Sequence, residues 1–255
     1  MEISETQLNH FRKYGFFFLP NPFGEEGMRQ IDRIAQDNEK AWETTDWPKG
    51  MNRLACQFLM LGEPILRFVE QPQFVEAARR LLDCEKVHVG ACGMGDASKV
   101  ISEDGRAQRQ VEWHADGGPE VHQVAFRTAL DRHDPSNAPL RVLPGTHLRP
   151  REEVREELMQ VELATGQHDT PPKHLFARHP REVEVILDPR WTLVWTPSCW
   201  HATGVKTAAG PRRAFGWNYY PSGGRARDIA AIKHVFAGQW ETWSDERKRL
   251  WALVD

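Results

Sequence analysis

The sequence predicts a mainly β protein with flanking helices, in which short strands form a sandwich or barrel. Apolar residues in the first third recur at helical spacing, and from residue 86 the chain changes to short β-like runs. These runs are separated by clusters of Gly, Pro, Asp and Asn, and they read KVHVGACG, RQVEWHAD, HQVAFRTAL, LRVL, EVEVIL, TLVW and RRAFGWNYY. Evenly spaced short strands of this kind are typical of an all-β core.

No internal repeat, low-complexity tract or linker divides the chain. With 255 residues, of which 40% are hydrophobic, the chain is long enough to bury one large core. We therefore expect a single domain over residues 1–255. A helix-rich segment at 1–85 should pack on a β-barrel core at 86–225, and residues 226–255 should add a carboxyl-terminal helical segment.

The first helix has clear start and stop signals. Ser4 followed by Gln7 has the form of a capping box, and Gly15 is a residue at which helices commonly end. A compact apolar run at 16–19 then predicts a strand. Further helices are predicted over 24–42, 63–70, 72–82, 149–165 and 244–253.

Charge and cysteine content limit the possible partners and compartments. The formal net charge is −3 and basic residues are interleaved with acids, so we expect neither a nucleic-acid nor a membrane partner. The four cysteines, Cys56, Cys84, Cys92 and Cys199, form no CxxC pair, which indicates reduced thiols rather than a disulfide framework. No secretion signal or membrane-spanning run is found. We therefore expect a soluble cytoplasmic protein.

The stretch VEWHADGG at 111–118 raises the possibility of a metal site. If the segment is extended, His114 and Asp116 point to the same face and could bind one ion. A surface or capping pair is the alternative, because a histidine and an acid two positions apart also occur together by chance.

A second cluster, TLVWTPSCWHATGVKTAAGPRRAFGWNYY, favours the metal site. His201 follows an aromatic strand, and Arg212 comes eleven residues later. Two imidazoles and one carboxylate form the ligand set of non-haem Fe(II) oxygenases, and an arginine fork suits the far carboxylate of a dicarboxylate co-substrate. The same three ligands would also suit zinc.

With these motifs, the sequence resembles the phytanoyl-CoA dioxygenase family of Fe(II)- and 2-oxoglutarate-dependent oxygenases. The segments that carry the resemblance are TQLNHFRKYGFFFLPNPF, WHAD, NAPLRVLPGTHL and WHATGVKTAAGPRRAF, which span most of the chain in the family's order. The resemblance implies a double-stranded β-helix, a jelly-roll barrel of two sheets backed by helices. It also implies Fe(II), 2-oxoglutarate and dioxygen as cofactor and co-substrates, and hydroxylation of a small molecule with release of succinate and CO2.

The resemblance also implies roles for individual residues. His114, Asp116 and His201 would bind the iron. Arg212 would bind the 2-oxoglutarate C5 carboxylate, and Thr203 matches a position whose hydroxyl often helps to hold it. Arg127 stands where many relatives carry an aromatic residue beside the co-substrate, so it would contact the co-substrate or grip an acidic substrate.

Several neighbouring features have both a functional and a structural interpretation. Alternation places Arg212, Ala214, Gly216 and Asn218 on one face of a strand and Arg213, Phe215, Trp217 and Tyr219 on the other; Gly216 would leave room for a ligand or mark a bulge. We interpret His147 as support for a turn, and Trp113, Trp195, Trp200 and Trp217 as core. Residues 95–110, with Arg106 and Arg109, would be a mobile loop over the substrate or an ordinary solvated loop.

Three hypotheses for the function follow. The first is an Fe(II)- and 2-oxoglutarate-dependent hydroxylase of a secondary metabolite, amino-acid derivative or organic acid. The second is a zinc-dependent hydrolase or isomerase with the same ligands, in which Arg212 has no obvious role. The third is a non-catalytic ligand-binding barrel. Neither the substrate nor the oligomeric state follows from the sequence.

Overall fold

A computed structural model describes residues 2–44, 59, 62–96, 111–165, 172–224 and 229–254. Within these ranges nine strands form two antiparallel sheets. The strands are β1 (Phe16–Pro20), β2 (Val87–Asp96), β3 (Val111–His114), β4 (Val124–Ala129), β5 (Leu140–Val142), β6 (Val183–Val185), β7 (Trp191–Trp195), β8 (His201–Thr203) and β9 (Arg213–Pro221). The larger sheet has the order β1-β7-β4-β9-β2 and the smaller β3-β8-β5-β6.

Seven α-helices accompany these strands in the described ranges. They are α1 (Glu5–Tyr14), α2 (Gly24–Thr44), α3 (Glu63–Val69), α4 (Pro72–Leu82), α5 (Arg151–Ala164), α6 (Ile229–Val235) and α7 (Asp245–Leu250). Short 3-10 turns lie at Thr146–Leu148 and Trp240–Thr242. All of the helices predicted from the sequence are present, and α6 is an additional helix inside the predicted carboxyl-terminal helical segment.

The first helix begins and ends as its sequence predicts. The Ser4 hydroxyl accepts a hydrogen bond from the Gln7 amide at 3.2 Å, and the Gln7 side chain accepts one from the Ser4 amide at 3.0 Å. Gly15 has a φ of 86°, a left-handed conformation that a side chain would disfavour. This cap turns the chain directly into β1, the edge strand of the larger sheet.

The outer face of the larger sheet packs against the helical layer. Phe215, Trp217 and Tyr219 of β9 alternate onto this face, and each is at most 2% exposed. Phe74 of α4 meets Trp217 edge-on, with ring centroids 4.9 Å apart. Burial of each such ring contributes roughly 2–3 kcal/mol, so this interface anchors the helices to the sheet. The predicted alternation along β9 is confirmed.

The inner face of the larger sheet is lined by small residues. Ala125 and Ala129 of β4 belong to the cluster between the two sheets, and Ala214 and Gly216 lie on the neighbouring strand. Gly216 sits in a regular ladder opposite Gly93, so it does not mark a bulge. The irregularity lies in β2 between Val89 and Ala91, on either side of Gly90. The barrel therefore has open space beside β9.

The segment before His201 differs from the prediction. His201 does not directly follow the aromatic strand: a turn over 196–200 comes between β7 and His201. In this turn the Cys199 amide donates to the Thr196 carbonyl at 3.0 Å. His201 then opens a separate strand, β8, in the opposite sheet.

The carboxyl-terminal helix contacts the amino-terminal helical layer. Arg247 of α7 donates to Glu63 at 2.8 Å and to Glu70 at 2.7 Å, and the Trp251 indole donates to Glu70 at 2.6 Å. The helix α7 is shorter than the predicted 244–253, since regular hydrogen bonding stops at Leu250.

Other predictions concern thiols, the proposed loop and membrane spans. None of Cys84, Cys92 and Cys199 is in a disulfide, as predicted, whereas Cys56 lies outside the described residues. Most of the loop proposed at 95–110, with Arg106 and Arg109, also lies outside them. None of the described helices has the length and apolar character that a membrane crossing requires.

Candidate metal centre

Three potential metal ligands meet at the junction of β3 and β8. His114 ends β3 and His201 begins β8, and the two are register partners. Their ring centroids lie 4.1 Å apart. One ligand atom from each of His114, Asp116 and His201 lies within 4.8 Å of the others. We call these three residues the metal triad.

Asp116 reaches this position from a turn. The strand β3 ends at His114, so Asp116 is not placed by strand alternation as the extended segment suggested. Instead its amide donates to the Pro197 carbonyl at 2.9 Å, in the turn between β7 and β8. This turn leads directly into His201, so one hydrogen bond links the segment of Asp116 to the segment of His201.

Backbone carbonyls orient both imidazoles. Nδ1 of His114 lies 2.8 Å from the Glu112 carbonyl oxygen, and Nδ1 of His201 lies 2.8 Å from the Cys199 carbonyl oxygen. Because a carbonyl only accepts, each Nδ1 carries the proton and donates it. With Nδ1 engaged in this way, Nε2 is the ring nitrogen that the neutral imidazole would offer to a metal ion.

Burial keeps His201 neutral. Desolvation, and after it the neighbouring His114 ring, lowers the pKa of His201 to about 4. A neutral imidazole is the form that binds a metal. The Trp195 and His201 rings pack edge to face, with centroids 4.7 Å apart and planes at 88°. Trp195 thus shields one side of the triad from water.

The other tryptophans near the triad in sequence are core residues, as we interpreted them. Trp113, Trp200 and Trp217 are each at most 4% exposed. Trp113 and Trp200 pack in a cluster with Leu158 of α5, on the outer side of the smaller sheet. Trp217 packs under the helical layer.

Arg212 is buried one residue before β9. It is 4% exposed, and its Nε and Nη2 donate to the Ala138 carbonyl at 3.0 and 2.8 Å. Thr203 is half-buried in β8, two residues after His201, so alternation places both side chains on one face. Ala202 between them packs on the other face, in the cluster under α5.

Arg127 also lies on the inner face of the larger sheet. It stands between Ala125 and Ala129 in β4 and pairs with Leu193 and Gly216. Its Nε atom is buried without a hydrogen-bond partner. Burial lowers the pKa of Arg127 to about 10.

His133 lies close to Arg127 and Arg212. It is 1% exposed, and its Nε2 donates to the Arg213 carbonyl at 3.2 Å. Burial, and after it the charges of Arg212 and Arg127, lowers the pKa of His133 to about 3. His133 is thus uncharged beside two cations. No local sequence motif indicates that it lies there.

The sequence also did not indicate a buried polar cluster of Gln123, Ser198, Asn218 and Tyr220. The Tyr220 hydroxyl donates to Gln123 at 2.9 Å, and the Gln123 amide donates to Ser198 at 3.2 Å. Asn218 donates to Tyr220 at 3.3 Å, while its side-chain oxygen is buried without a partner. These contacts join β9 to the turn at 196–200, which precedes His201.

His147 supports the turn after β5, as we interpreted it. Its Nε2 lies 3.2 Å from the Arg12 carbonyl and its Nδ1 lies 3.2 Å from the Cys199 sulfur. His147 therefore links α1 to the turn before His201.

Comparisons with known proteins place this architecture among oxygenases. The sequence profile of the family described as phytanoyl-CoA dioxygenase (PhyH) matches residues 11–214. Ectoine dioxygenase from Bordetella parapertussis is 25% identical over 184 residues, which cover 63% of this chain and 57% of the relative. The chain thus spans somewhat more than half the length of the curated relative.

Solved structures show the same fold. EctD from S. alaskensis with bound iron superposes with a TM-score of 0.63 at 18% identity, over 88% of this chain and 79% of that chain. HygX from Streptomyces hygroscopicus, with nickel and 2-oxoglutarate bound, gives a TM-score of 0.64 at 14% identity, over 87% and 88%. These likenesses confirm the predicted two-sheet barrel with its helical layer. Because the family profile matches most of the sequence, the chain belongs to the phytanoyl-CoA dioxygenase family.

Proposed function

We propose that this protein is an Fe(II)- and 2-oxoglutarate-dependent oxygenase that hydroxylates a small molecule. The observation that carries the proposal is the convergence of the metal triad, whose ligand atoms lie within 4.8 Å of one another. Family membership supports the same chemistry.

The donor set fits iron. Two neutral imidazoles, each with Nε2 available, and one carboxylate are the ligands of non-haem Fe(II) oxygenases, and they leave coordination positions for other ligands. Zinc would accept the same donors. The buried guanidinium of Arg212 favours the oxygenase, since a zinc hydrolase has no evident use for it.

Each residue has a defined task in this proposal. Fe(II) together with 2-oxoglutarate and dioxygen supplies the oxidising chemistry, in which 2-oxoglutarate becomes succinate and CO2. His114, Asp116 and His201 hold the metal. Arg212 and Thr203 bind the C5 carboxylate of the co-substrate, the former through its planar fork. Trp195 excludes water from the face of His201 that it covers.

Arg127 belongs to the wall of the same pocket. Its position between Ala125 and Ala129 turns its side chain into the space between the sheets. There it would contact either the co-substrate or the substrate.

The remaining proposals concern partners and organisation. We propose a small-molecule substrate, without nucleic-acid or membrane partners, and a single domain over 1–255. Cys84, Cys92 and Cys199 are not in disulfides, which supports a reducing compartment such as the cytoplasm.

The test is metal and co-substrate binding followed by turnover. Protein loaded anaerobically with Fe(II) should give a charge-transfer absorption on addition of 2-oxoglutarate, and should form succinate once oxygen is admitted. Asp116→Ala and Arg212→Ala should abolish or severely reduce both signals. Glu25→Ala and Arg190→Ala are matched controls at exposed sites and should behave as the unaltered protein.

Two results would contradict the proposal. Unchanged signals in both site variants would refute the site assignment. Full zinc occupancy with activity independent of oxygen would instead support the hydrolase or isomerase.

A further inference from the structure

The barrel interior contains a second arginine besides Arg212, the half-buried Arg127. Arg127 pairs with Leu193, two residues before Trp195, and the ring of Trp195 touches His201. Ala125, two residues before Arg127, pairs with Trp195 itself. Arg127 and Trp195 therefore lie on the same face of the larger sheet, at neighbouring side-chain positions.

Arg141 and Arg213 each have a carboxylate partner, whereas Arg127 has none in the described chain. Arg141, which is 2% exposed, donates to Glu182 at 2.6 Å. Arg213 donates to Asp131 at 2.9 Å. The Nε of Arg127 lacks a hydrogen-bond partner, and only burial shifts its pKa. Arg127 is half-buried, and a charge withdrawn from water without a partner is costly, so its retention at this position points to a ligand.

Open space adjoins Arg127 on the inner face of the larger sheet. Arg127 is opposite Gly216, and Gly216 is opposite Gly93 on the next strand. Among the described residues, a Cβ at Gly93 would meet no atom within 4 Å, and one at Gly216 would meet only the Phe126 carbonyl at 3.5 Å. A ligand beside Arg127 would therefore lie against glycine and alanine residues of the larger sheet.

Charge balance separates the two candidate partners of Arg127. In the loaded site, the charges of Fe(II) and Arg212 are already balanced by Asp116 and the 2-oxoglutarate dianion. Arg127 adds one positive charge that nothing in this set neutralises. The missing group is a single negative charge.

We propose that Arg127 binds a carboxylate of the substrate, so that the enzyme acts on small organic anions. This inference rests on the proposed function, because the charge balance assumes Fe(II) and 2-oxoglutarate in the site. Arg127 is then a specificity-determining residue, whose planar fork would hold a carboxylate by two parallel hydrogen bonds.

The probe is acetate, compared with neutral acetamide of nearly the same shape. Both are titrated anaerobically into the Fe(II)- and 2-oxoglutarate-loaded protein at constant ionic strength, and the unfolding temperature is measured. Acetate should stabilise the protein and acetamide should not. Arg127→Gln should weaken acetate binding by about tenfold or more, as expected for loss of a charged hydrogen bond. Arg127→Lys should retain part of that binding.

The charge-transfer titration with 2-oxoglutarate is the second readout. Arg127→Gln should keep the affinity for 2-oxoglutarate within about twofold, whereas Arg212→Gln should lose about tenfold or more. Arg132→Gln is the matched control, because its side chain is 59% exposed, and it should change neither affinity.

The outcomes separate the two proposals. If the unaltered protein gives no charge-transfer band, the proposed function fails and the substrate assignment fails with it. If the band forms but acetate and acetamide act alike, or Arg127→Gln leaves acetate binding intact, only the substrate assignment is overturned. Equal loss of 2-oxoglutarate affinity in the Arg127 and Arg212 variants would assign Arg127 to the co-substrate.

Discussion

His114 and His201 are register partners on adjacent strands, although 87 positions separate them along the chain. The pairing of β3 with β8 places the two imidazoles side by side, and carbonyls of Glu112 and Cys199 fix their Nδ1 atoms. The pairing of strands and the backbone acceptors thus fix the positions of both imidazoles.

This arrangement predicts that metal binding stabilises the fold. An ion that binds only the folded chain raises the free energy of unfolding, by about 2.7 kcal/mol at a concentration of about 100 times Kd. Fe(II) under anaerobic conditions should raise the unfolding temperature, and a chelator should reverse this. His201→Ala should remove the effect, whereas His122→Ala, at an exposed position, should keep it. Equal stabilisation of both variants would mean that iron binds elsewhere.

Arg212 and Arg213 are adjacent in sequence but face opposite sides of the larger sheet, so their substitutions should have different effects. Arg213 donates to Asp131 and to Asp32 of α2, each at 2.9 Å, and this network joins the helical layer to β9. Arg213→Gln should lower the free energy of unfolding by about 1–3 kcal/mol in denaturant titrations.

The affinity for 2-oxoglutarate should show the reverse pattern. Arg212→Gln should weaken binding by about tenfold or more, while Arg213→Gln should leave it nearly unchanged. The charge-transfer titration measures both. A larger loss of 2-oxoglutarate affinity in the Arg213 variant would show that Arg213, and not Arg212, faces the binding site.

Features with a local physical cause were predictable from the sequence. The cap at Ser4 and the stop at Gly15 depend on contacts within one helix, and the two faces of β9 follow from the period of a strand. The three-residue strand β8 was not predicted, because it is too short to show alternation and depends on pairing with distant strands.

The candidate site was predictable only in part. The spacing of His114 and Asp116 predicted that both could bind one metal ion. His201 was identified as the third ligand only because it supplies a second imidazole and matches the family's motif. The burial of His133 and the lack of a hydrogen-bond partner at Arg127 Nε could not be predicted, because both depend on the folded interior. These tertiary properties underlie the substrate assignment.

The network around Glu157 predicts a pH dependence of stability. Although burial raises the pKa of Glu157, hydrogen bonds from Arg149 and Arg181 outweigh it and lower the pKa to about 2. A lowered carboxyl pKa stabilises the folded state above the ordinary value of 4.5, and the contribution is lost as the pH falls from there towards 2.

Glu157→Gln should therefore lower the free energy of unfolding by about 1–2 kcal/mol at neutral pH. The difference from the unaltered protein should shrink as the pH falls below 4.5. Glu153→Gln, at an exposed position of the same helix, should show neither effect. Denaturant titrations at several pH values measure this, and a difference that stayed constant with pH would contradict the ion-pair explanation.

Arg127 yields the opposite prediction for stability, since removing its side-chain charge should stabilise the protein without ligands. Burial lowers the pKa of Arg127 to about 10, and this cost of the charged form persists at every pH below that value. Arg127→Met keeps much of the apolar stem and removes the charge, so it should raise the free energy of unfolding by about 1–3 kcal/mol at neutral pH. The exposed Arg132→Met should change it by less than about 0.5 kcal/mol. Denaturant unfolding of the metal-free proteins measures both values, and a marked destabilisation by Arg127→Met would show that the guanidinium already has a partner within the chain.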